Sequence, residues 1–220
     1  MEQAIAELAI VALPIVLAIT LHEAAHGYVA RHFGDPTAWL AGRISLNPVR
    51  HIDPFGTILV PLLIYFSSAA VGGQGLLFGW AKPVPVDFSR LRRPKQDMLW
   101  VAAAGPFANI LMALGWALIA KLNAVSPETG YSFALSKMAL AGMQVNAVLM
   151  VLNLLPILPL DGGRIVESLA PHRLAYQLSR LEPYGFPILL LLLFTGVLNA
   201  ILWPGVAWVM SVLALIFGLR

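Results

Sequence analysis

The sequence has 220 residues, of which 59% are hydrophobic and only 11% charged, with a net charge of +3 and no cysteine. Soluble domains carry about 25% charged residues, so a water-soluble globule does not account for the whole chain, and the lack of cysteine excludes disulfides and thiolate metal sites. The modest positive charge does not indicate nucleic acid: no basic run is interleaved with aromatics, and basic loops beside membrane spans have a simpler origin.

In chain order, Ala4 to about Val29 reads as a first helix, apolar until His22. Its start, Met1-Glu2-Gln3, lacks the basic region of a secretory signal, so the run is expected to be a retained span. Arg31 to Pro54 is a polar connection with turn signals at Gly34-Asp35-Pro36, Asn47-Pro48 and Asp53-Pro54. Within it, Trp39–Leu46 is a candidate short strand. Phe55–Phe78 is apolar but broken by Pro61 and by Gly72-Gly73 and Gly75. Trp80–Phe88 contains Pro83-Val84-Pro85-Val86, which cannot be helical and suggests an edge strand. Arg90, Arg92, Arg93 and Lys95 follow.

Two central runs, Met98–Ala120 and Met138–Leu160, each hold 23 residues without Asp, Glu, Lys or Arg, and Phe186–Leu219 holds 34. A membrane span needs about 20. The second central helix is expected to break at Pro156 and Pro159 and to end at Asp161. Gly162–Pro183 is polar and partly helical. The last run is expected to hold two short spans turning near Asn199 or Pro204-Gly205. No internal repeat or low-complexity tract is present. The expected fold is an all-α polytopic membrane protein of about five transmembrane helices, with a re-entrant segment and short β-strands near the site. It forms a single membrane-embedded domain over residues 1–220, with core motifs in 21–165 and C-terminal helices in 186–219.

The sharpest chemical signal is His22-Glu23-Ala24-Ala25-His26. Residues i and i+4 share a helix face, so both imidazoles can reach one metal ion, and Glu23 sits beside the first ligand, where it can act on water. Ionisable groups at the end of a membrane helix are costly and default to a functional reading. Two histidines leave a catalytic zinc site one protein ligand short. His32, His51 and His172 lie in loops; Asp161, within Pro159-Leu160-Asp161-Gly162-Gly163-Arg164, suits a ligand projecting into the bundle as well as it suits a plain Asp-Gly turn.

These segments together resemble the site-2 protease family of intramembrane zinc metalloproteases. The resemblance is carried by HEAAH at 22–26, by Gly42-Arg43-Ile44-Ser45-Leu46-Asn47-Pro48 with His51-Ile52-Asp53-Pro54-Phe55-Gly56-Thr57, by Ala104-Gly105-Pro106-Phe107-Ala108-Asn109, and by Asn153-Leu154-Leu155-Pro156-Ile157-Leu158-Pro159-Leu160-Asp161-Gly162-Gly163. They occur in family order. The resemblance implies one zinc ion per chain held by His22, His26 and Asp161, with Glu23 as catalytic base and Asn153 helping to hold the substrate or the oxyanion. It implies a membrane-protein substrate with a transmembrane helix, cleaved as in regulated intramembrane proteolysis; the sequence shows no PDZ-like insertion of the kind some members carry, so a minimal form is expected.

Asn153 lies eight residues before Asp161, about two helical turns, which would let it face the same cavity and donate to an oxyanion. Asn109, on the other central helix, is a second candidate for a substrate contact, although membrane asparagines also bond between helices. A helical substrate must unwind before attack, and an edge strand near the site would hold it extended. Glu167 and Glu182 are the alternative third ligands in a different metalloprotease. A metal-ion transporter or a non-catalytic metal-binding protein is the reading outside enzymes.

The site imposes a parity on the topology. If residues 55–78 are re-entrant, the site-side loops carry Arg31, Arg43, Arg50, Lys82, Arg90, Arg92, Arg93, Lys95, Arg164, Arg173 and Arg180, against Lys121 and Lys137 on the other side. Basic loops favour the cytoplasm. The expectation is therefore a multi-pass protein of a prokaryotic cell membrane, in contact with the lipid bilayer, its site toward the cytoplasmic side.

Overall fold

A computed structural model describes residues 2–60, 82–126 and 128–219. Eight α-helices carry the described fold: α1 (Glu2–His32), α2 (Thr37–Leu40), α3 (Pro94–Val125), α4 (Ser132–Asn153), α5 (Asp161–Leu169), α6 (His172–Ser179), α7 (Glu182–Phe194) and α8 (Val197–Phe217). Short helical turns of 3-10 or π type lie at Pro48–His51, Pro54–Leu59 and Phe88–Arg90. Four of the helices are long and apolar enough to cross a membrane: Ile10–His32 of α1, α3, α4 and α8. The re-entrant segment expected at 55–78 falls largely on 61–81, outside the described residues.

The bundle is built on α1, α3 and α4, which pack pairwise against one another, with α8 against α4 and α3. Their contacts use small residues: Ala18, Ala24 and Ala30 on α1, Ala102, Ala113 and Ala117 on α3, and Ala139 and Ala147 on α4 are all at most 3% exposed. Small side chains let membrane helices approach closely, which is where their association energy comes from in the absence of a hydrophobic drive. Trp116, Met143 and Leu213 fill the space between α3, α4 and α8. Large side chains point outward instead, among them Leu111, Leu122, Trp208 and Leu215, as a lipid-facing surface requires.

Both expected strands fail to form. Trp39–Leu46 starts inside a helical turn, because Pro36 begins one at Thr37–Leu40, and Gly42 at φ +63 reverses the chain so that the Arg43 N–H donates to the Ala38 carbonyl (2.8 Å). Of Trp80–Phe88, Trp80 and Ala81 lie outside the described residues, and 82–87 runs without ladder bonds. Pro83 and Pro85 have no N–H to give. Three of the four other amides are spent elsewhere: Lys82 donates to the His51 carbonyl, Val84 to Glu23 and Asp87 to Asp35. Among the described residues there is no strand.

Two helix boundaries also differ from the sequence reading. The helix expected to break at Pro156 and Pro159 and to end at Asp161 stops earlier, at Asn153, since the two prolines deny it amide donors, and residues 154–160 turn tightly before Asp161 opens a separate helix, α5. The C-terminal turn falls at Gly196 (φ +77), a left-handed position glycine adopts freely, and not near Asn199 or Pro204-Gly205, which lie within α8. As a result α7 has only 13 residues, short of the roughly 20 a span requires.

Candidate metal centre

The polarity of the bundle assembles the site. His22 and His26 lie one turn apart on α1, and α3 runs antiparallel beside them, so that His22 meets Asn109 while His26 meets Val101. The turn at 154–160 then swings the first residue of α5 into the same space. Among the described residues, His22, His26 and Asp161 are the one group of three ligand-type side chains close enough to share an ion.

Hydrogen bonding sets the tautomer of both rings. The Val101 carbonyl can only accept, so His26 Nδ1 donates to it at 2.7 Å. His22 Nδ1 lies 2.6 Å from Asn109 Oδ1, also an acceptor. With both Nδ1 atoms as donors, each neutral ring turns a bare Nε2 lone pair inward. The two Nε2 atoms are 3.2 Å apart, and Asp161 Oδ2 lies 3.3 Å from one and 3.4 Å from the other. That oxygen is buried and has no hydrogen-bond partner. Three electron-rich atoms converge with no hydrogen to share between neutral rings, an arrangement that repels unless a cation sits among them.

The dimensions suit zinc. Ligands at about 2.0–2.2 Å in a tetrahedron stand about 3.3–3.5 Å from one another, and the triangle here is of that size. Nitrogen and carboxylate oxygen donors fit the same ion, with a fourth position left open. Gly105 of α3 makes the room: a Cβ there would stand 2.5 Å from His22 Cε1 and 2.7 Å from His22 Nε2, and would also strike His26 Nε2. Any side chain at 105 fills the space the ion needs.

Glu23, next to His22 on α1, is partly buried and accepts the Val84 N–H through Oε2 at 2.9 Å. The segment carrying Val84 is itself fixed. Arg43, 8% exposed, donates from Nη2 to the Lys82 carbonyl at 2.6 Å. Asp35, fully buried, accepts the Asp87 N–H at 2.7 Å and the Thr37 N–H at 2.9 Å. The 82–87 segment is thus clasped by its backbone to α1 through Glu23 and to the loop after α1 through the buried charges of Arg43 and Asp35.

The remaining candidates from the sequence are placed as follows. Asn109 is fully buried, with its oxygen on His22 and its amide nitrogen on Asn146 Oδ1 at 2.9 Å. Asn153, in the last turn of α4, donates its side-chain amide to the Leu149 carbonyl at 3.0 Å; with the helix ending there, its two-turn helical spacing to Asp161 does not exist. Glu167 and Glu182 both pair with Arg164 and stand apart from the triad. His51 is not a solvated loop histidine: it is 2% exposed, its Nε2 facing the Ser45 carbonyl at 2.9 Å. Sequence reading quoted Gly105, Arg43 and Val84 within longer segments without giving any of them a role in the site, and it missed Asn146. The usable signals were a Gly-Pro pair inside an otherwise unbroken apolar helix and an asparagine in the middle of another.

Comparisons with known proteins identify the family. The profile described as Peptidase family M50 matches residues 124–195. The chain is 39% identical over 193 residues to YwhC of Bacillus subtilis, named as a candidate zinc metalloprotease, covering 86% of this chain and 82% of that protein. It is 31% identical over 194 residues to Rip2 of Mycolicibacterium smegmatis, named in the same way, covering 88% of this chain and 70% of that one. Rip2 of Mycobacterium tuberculosis is 29% identical over 193 residues, with the same coverage. No solved structure matches the chain significantly.

Proposed function

The chain belongs to peptidase family M50, a multi-pass membrane protein and zinc metalloprotease by that membership, and we propose that it hydrolyses peptide bonds in or near the transmembrane helices of membrane-protein substrates. The observation that carries this reading is the triangle of His22 Nε2, His26 Nε2 and Asp161 Oδ2, formed where α1 and α3, both long and apolar enough to cross a membrane, meet the start of α5.

In this reading His22, His26 and Asp161 hold the zinc ion. When bound there, zinc supplies Lewis acidity toward the scissile carbonyl and makes water a nucleophile near neutral pH. The protein's own groups do the rest. Glu23 takes a proton from the attacking water and returns it to the leaving nitrogen. The Val84 amide holds Glu23 Oε2 and so fixes the carboxylate's orientation, leaving Oε1 for the proton. Asn153 is the donor offered to the developing oxyanion, exchanging its bond to Leu149 for that contact. Burial of the site among α1, α3 and α5 keeps bulk water from the reacting groups and strengthens each electrostatic contact.

A substrate helix hides its amides in its own hydrogen bonds and must be extended before attack. The 82–87 segment, clasped beside Glu23 and free of secondary structure, is where an unwound substrate would lie. The C-terminal end of α1, the N-terminal end of α3 and the C-terminal end of α4 gather at the site, and the basic loops leave from those ends, which supports a cytoplasmic orientation.

The test is cleavage of a single-span substrate by the full chain in detergent, with zinc assayed in parallel. Wild type should cut. Glu23→Gln should keep zinc and lose cleavage by at least the roughly 10²–10⁴-fold that general acid–base catalysis contributes. Metal transport in vesicles with no cleavage, unaltered in Glu23→Gln, would favour the transporter and sink the protease.

A further inference from the structure

A metal ligand is only as good as its tautomer, and for His22 the tautomer is set by a chain of amides that ends on α4. Asn109 alone cannot set it. Its side chain presents an acceptor and a donor of nearly equal shape, and turned over it would offer N–H to His22 Nδ1 and force the proton onto Nε2, the atom the metal needs. Something must fix which way Asn109 points.

Asn146 does so. Its Nδ2 donates to the Gly142 carbonyl, one turn back on α4, at 2.8 Å. A carbonyl oxygen only accepts, so Asn146 has one permitted orientation, with Oδ1 outward. That oxygen receives Asn109 Nδ2 at 2.9 Å, which in turn fixes Asn109 Oδ1 toward His22 Nδ1 at 2.6 Å. Both asparagines are 0% exposed, so no bulk water stands in for a lost partner. The inner end is closed as well: a Cβ at Gly142 would strike the Trp116 ring, which therefore packs directly over that turn of α4. His26 needs no such relay, since the Val101 carbonyl determines its tautomer directly.

We infer that Asn146 is a positioning residue for the metal centre: through Asn109 it holds His22 as the Nδ1–H tautomer, with Nε2 free to ligate. The inference rests on the metal site proposed above and deepens it. It reaches α4, a helix that contributes no ligand, and it places the far end of the relay two hydrogen-bonded side chains away from the nearest ligand. Outer partners of a ligating histidine are worth about 10–100-fold in metal affinity; one step further out, the lower end is expected.

The experiment uses the full chain in detergent, labelled with ¹⁵N-histidine. The His22 tautomer is read from ring ¹⁵N shifts in the zinc-free protein, and zinc affinity from competition with a chelator. Asn146→Leu should bring the Nε2–H tautomer into the His22 population and weaken zinc binding about tenfold. The double variant Asn109→Asp with Asn146→Leu should restore the tautomer, because a carboxylate can only accept from His22 whatever stands at 146. A general packing defect would not be repaired this way. Wild-type tautomer and affinity in Asn146→Leu, or a double variant no better than Asn146→Leu alone, would overturn the inference. If Asn146→Leu does not fold, Asn146→Ala is read by the same outcomes. Wild type that binds no zinc would sink the protease reading, while the tautomer measurement still decides this one.

Discussion

Gly105→Ala adds one methyl group, and the structure says where it goes. The new Cβ would stand 2.5 Å from His22 Cε1 and 2.7 Å from His22 Nε2, and against His26 Nε2. Carbon contacts are favourable at about 3.5–4.0 Å, so α3 and α1 must part by about 1 Å or the imidazoles must turn away. Folding should survive, because the overpacking cost of about 1–3 kcal/mol is partly offset by the roughly 1 kcal/mol that alanine gains over glycine inside a helix. Zinc binding should not. Metal sites tolerate about 0.2 Å in ligand distance, so the loss should exceed the 10–100-fold of an outer-shell change. The assay is zinc content and chelator competition on detergent-purified protein, with thermal unfolding measured on the same sample. Gly115→Ala is the control: it is on the same helix with nothing within 4 Å of the added methyl, and it should leave zinc and fold intact. A Gly105→Ala protein binding one zinc with wild-type affinity would refute the packing of α3 on the two histidines.

Other perturbations separate the parts of the site. Asp161→Asn keeps the shape but removes the buried anion that faces both Nε2 atoms; it should cost more than about a hundredfold in zinc affinity, and near-wild-type binding would exclude Asp161 as the third ligand. Arg43→Met keeps much of the stem's volume but frees the Lys82 carbonyl. A hydrogen bond from a charged donor is worth about 1.5–3 kcal/mol, so proteolysis within 82–87 should quicken and the cleavage rate fall while zinc affinity holds. Unchanged proteolysis and rate would show that the clasp is not needed. Zinc removal by a chelator should lower the unfolding free energy by about 2.7 kcal/mol relative to protein held at a hundredfold excess over Kd, seen as a drop in Tm that is absent in Asp161→Asn.

Much of this site was legible before any coordinates. His22 and His26 were recognisable because a helix has one period, and i, i+4 spacing survives whatever the surroundings do. Asp161 was recognisable by resemblance, but its setting was misread: a long apolar run looks like one helix, and how far two prolines interrupt it depends on where the freed carbonyls find partners. The strands at Trp39–Leu46 and Trp80–Phe88 failed for a related reason. Alternation and proline content describe what a segment cannot be, while its amides here went to Glu23, His51 and Asp35, residues from three other parts of the chain. Gly105 and Asn146 carry no chemistry of their own. Their roles exist only once α3 and α4 lie against α1, and no local pattern encodes that packing. An asparagine in the middle of an apolar helix was nonetheless a fair pointer, since a buried amide in a membrane must find a partner.

What holds the metal is the most direct test of the site. X-ray absorption at the zinc edge of the purified full chain is expected to show one zinc with two imidazole nitrogens and a carboxylate oxygen at about 2.0–2.2 Å, with one further light atom. A folded wild-type chain that takes up no zinc, or a zinc whose shell keeps both imidazoles in His22→Ala, would contradict it.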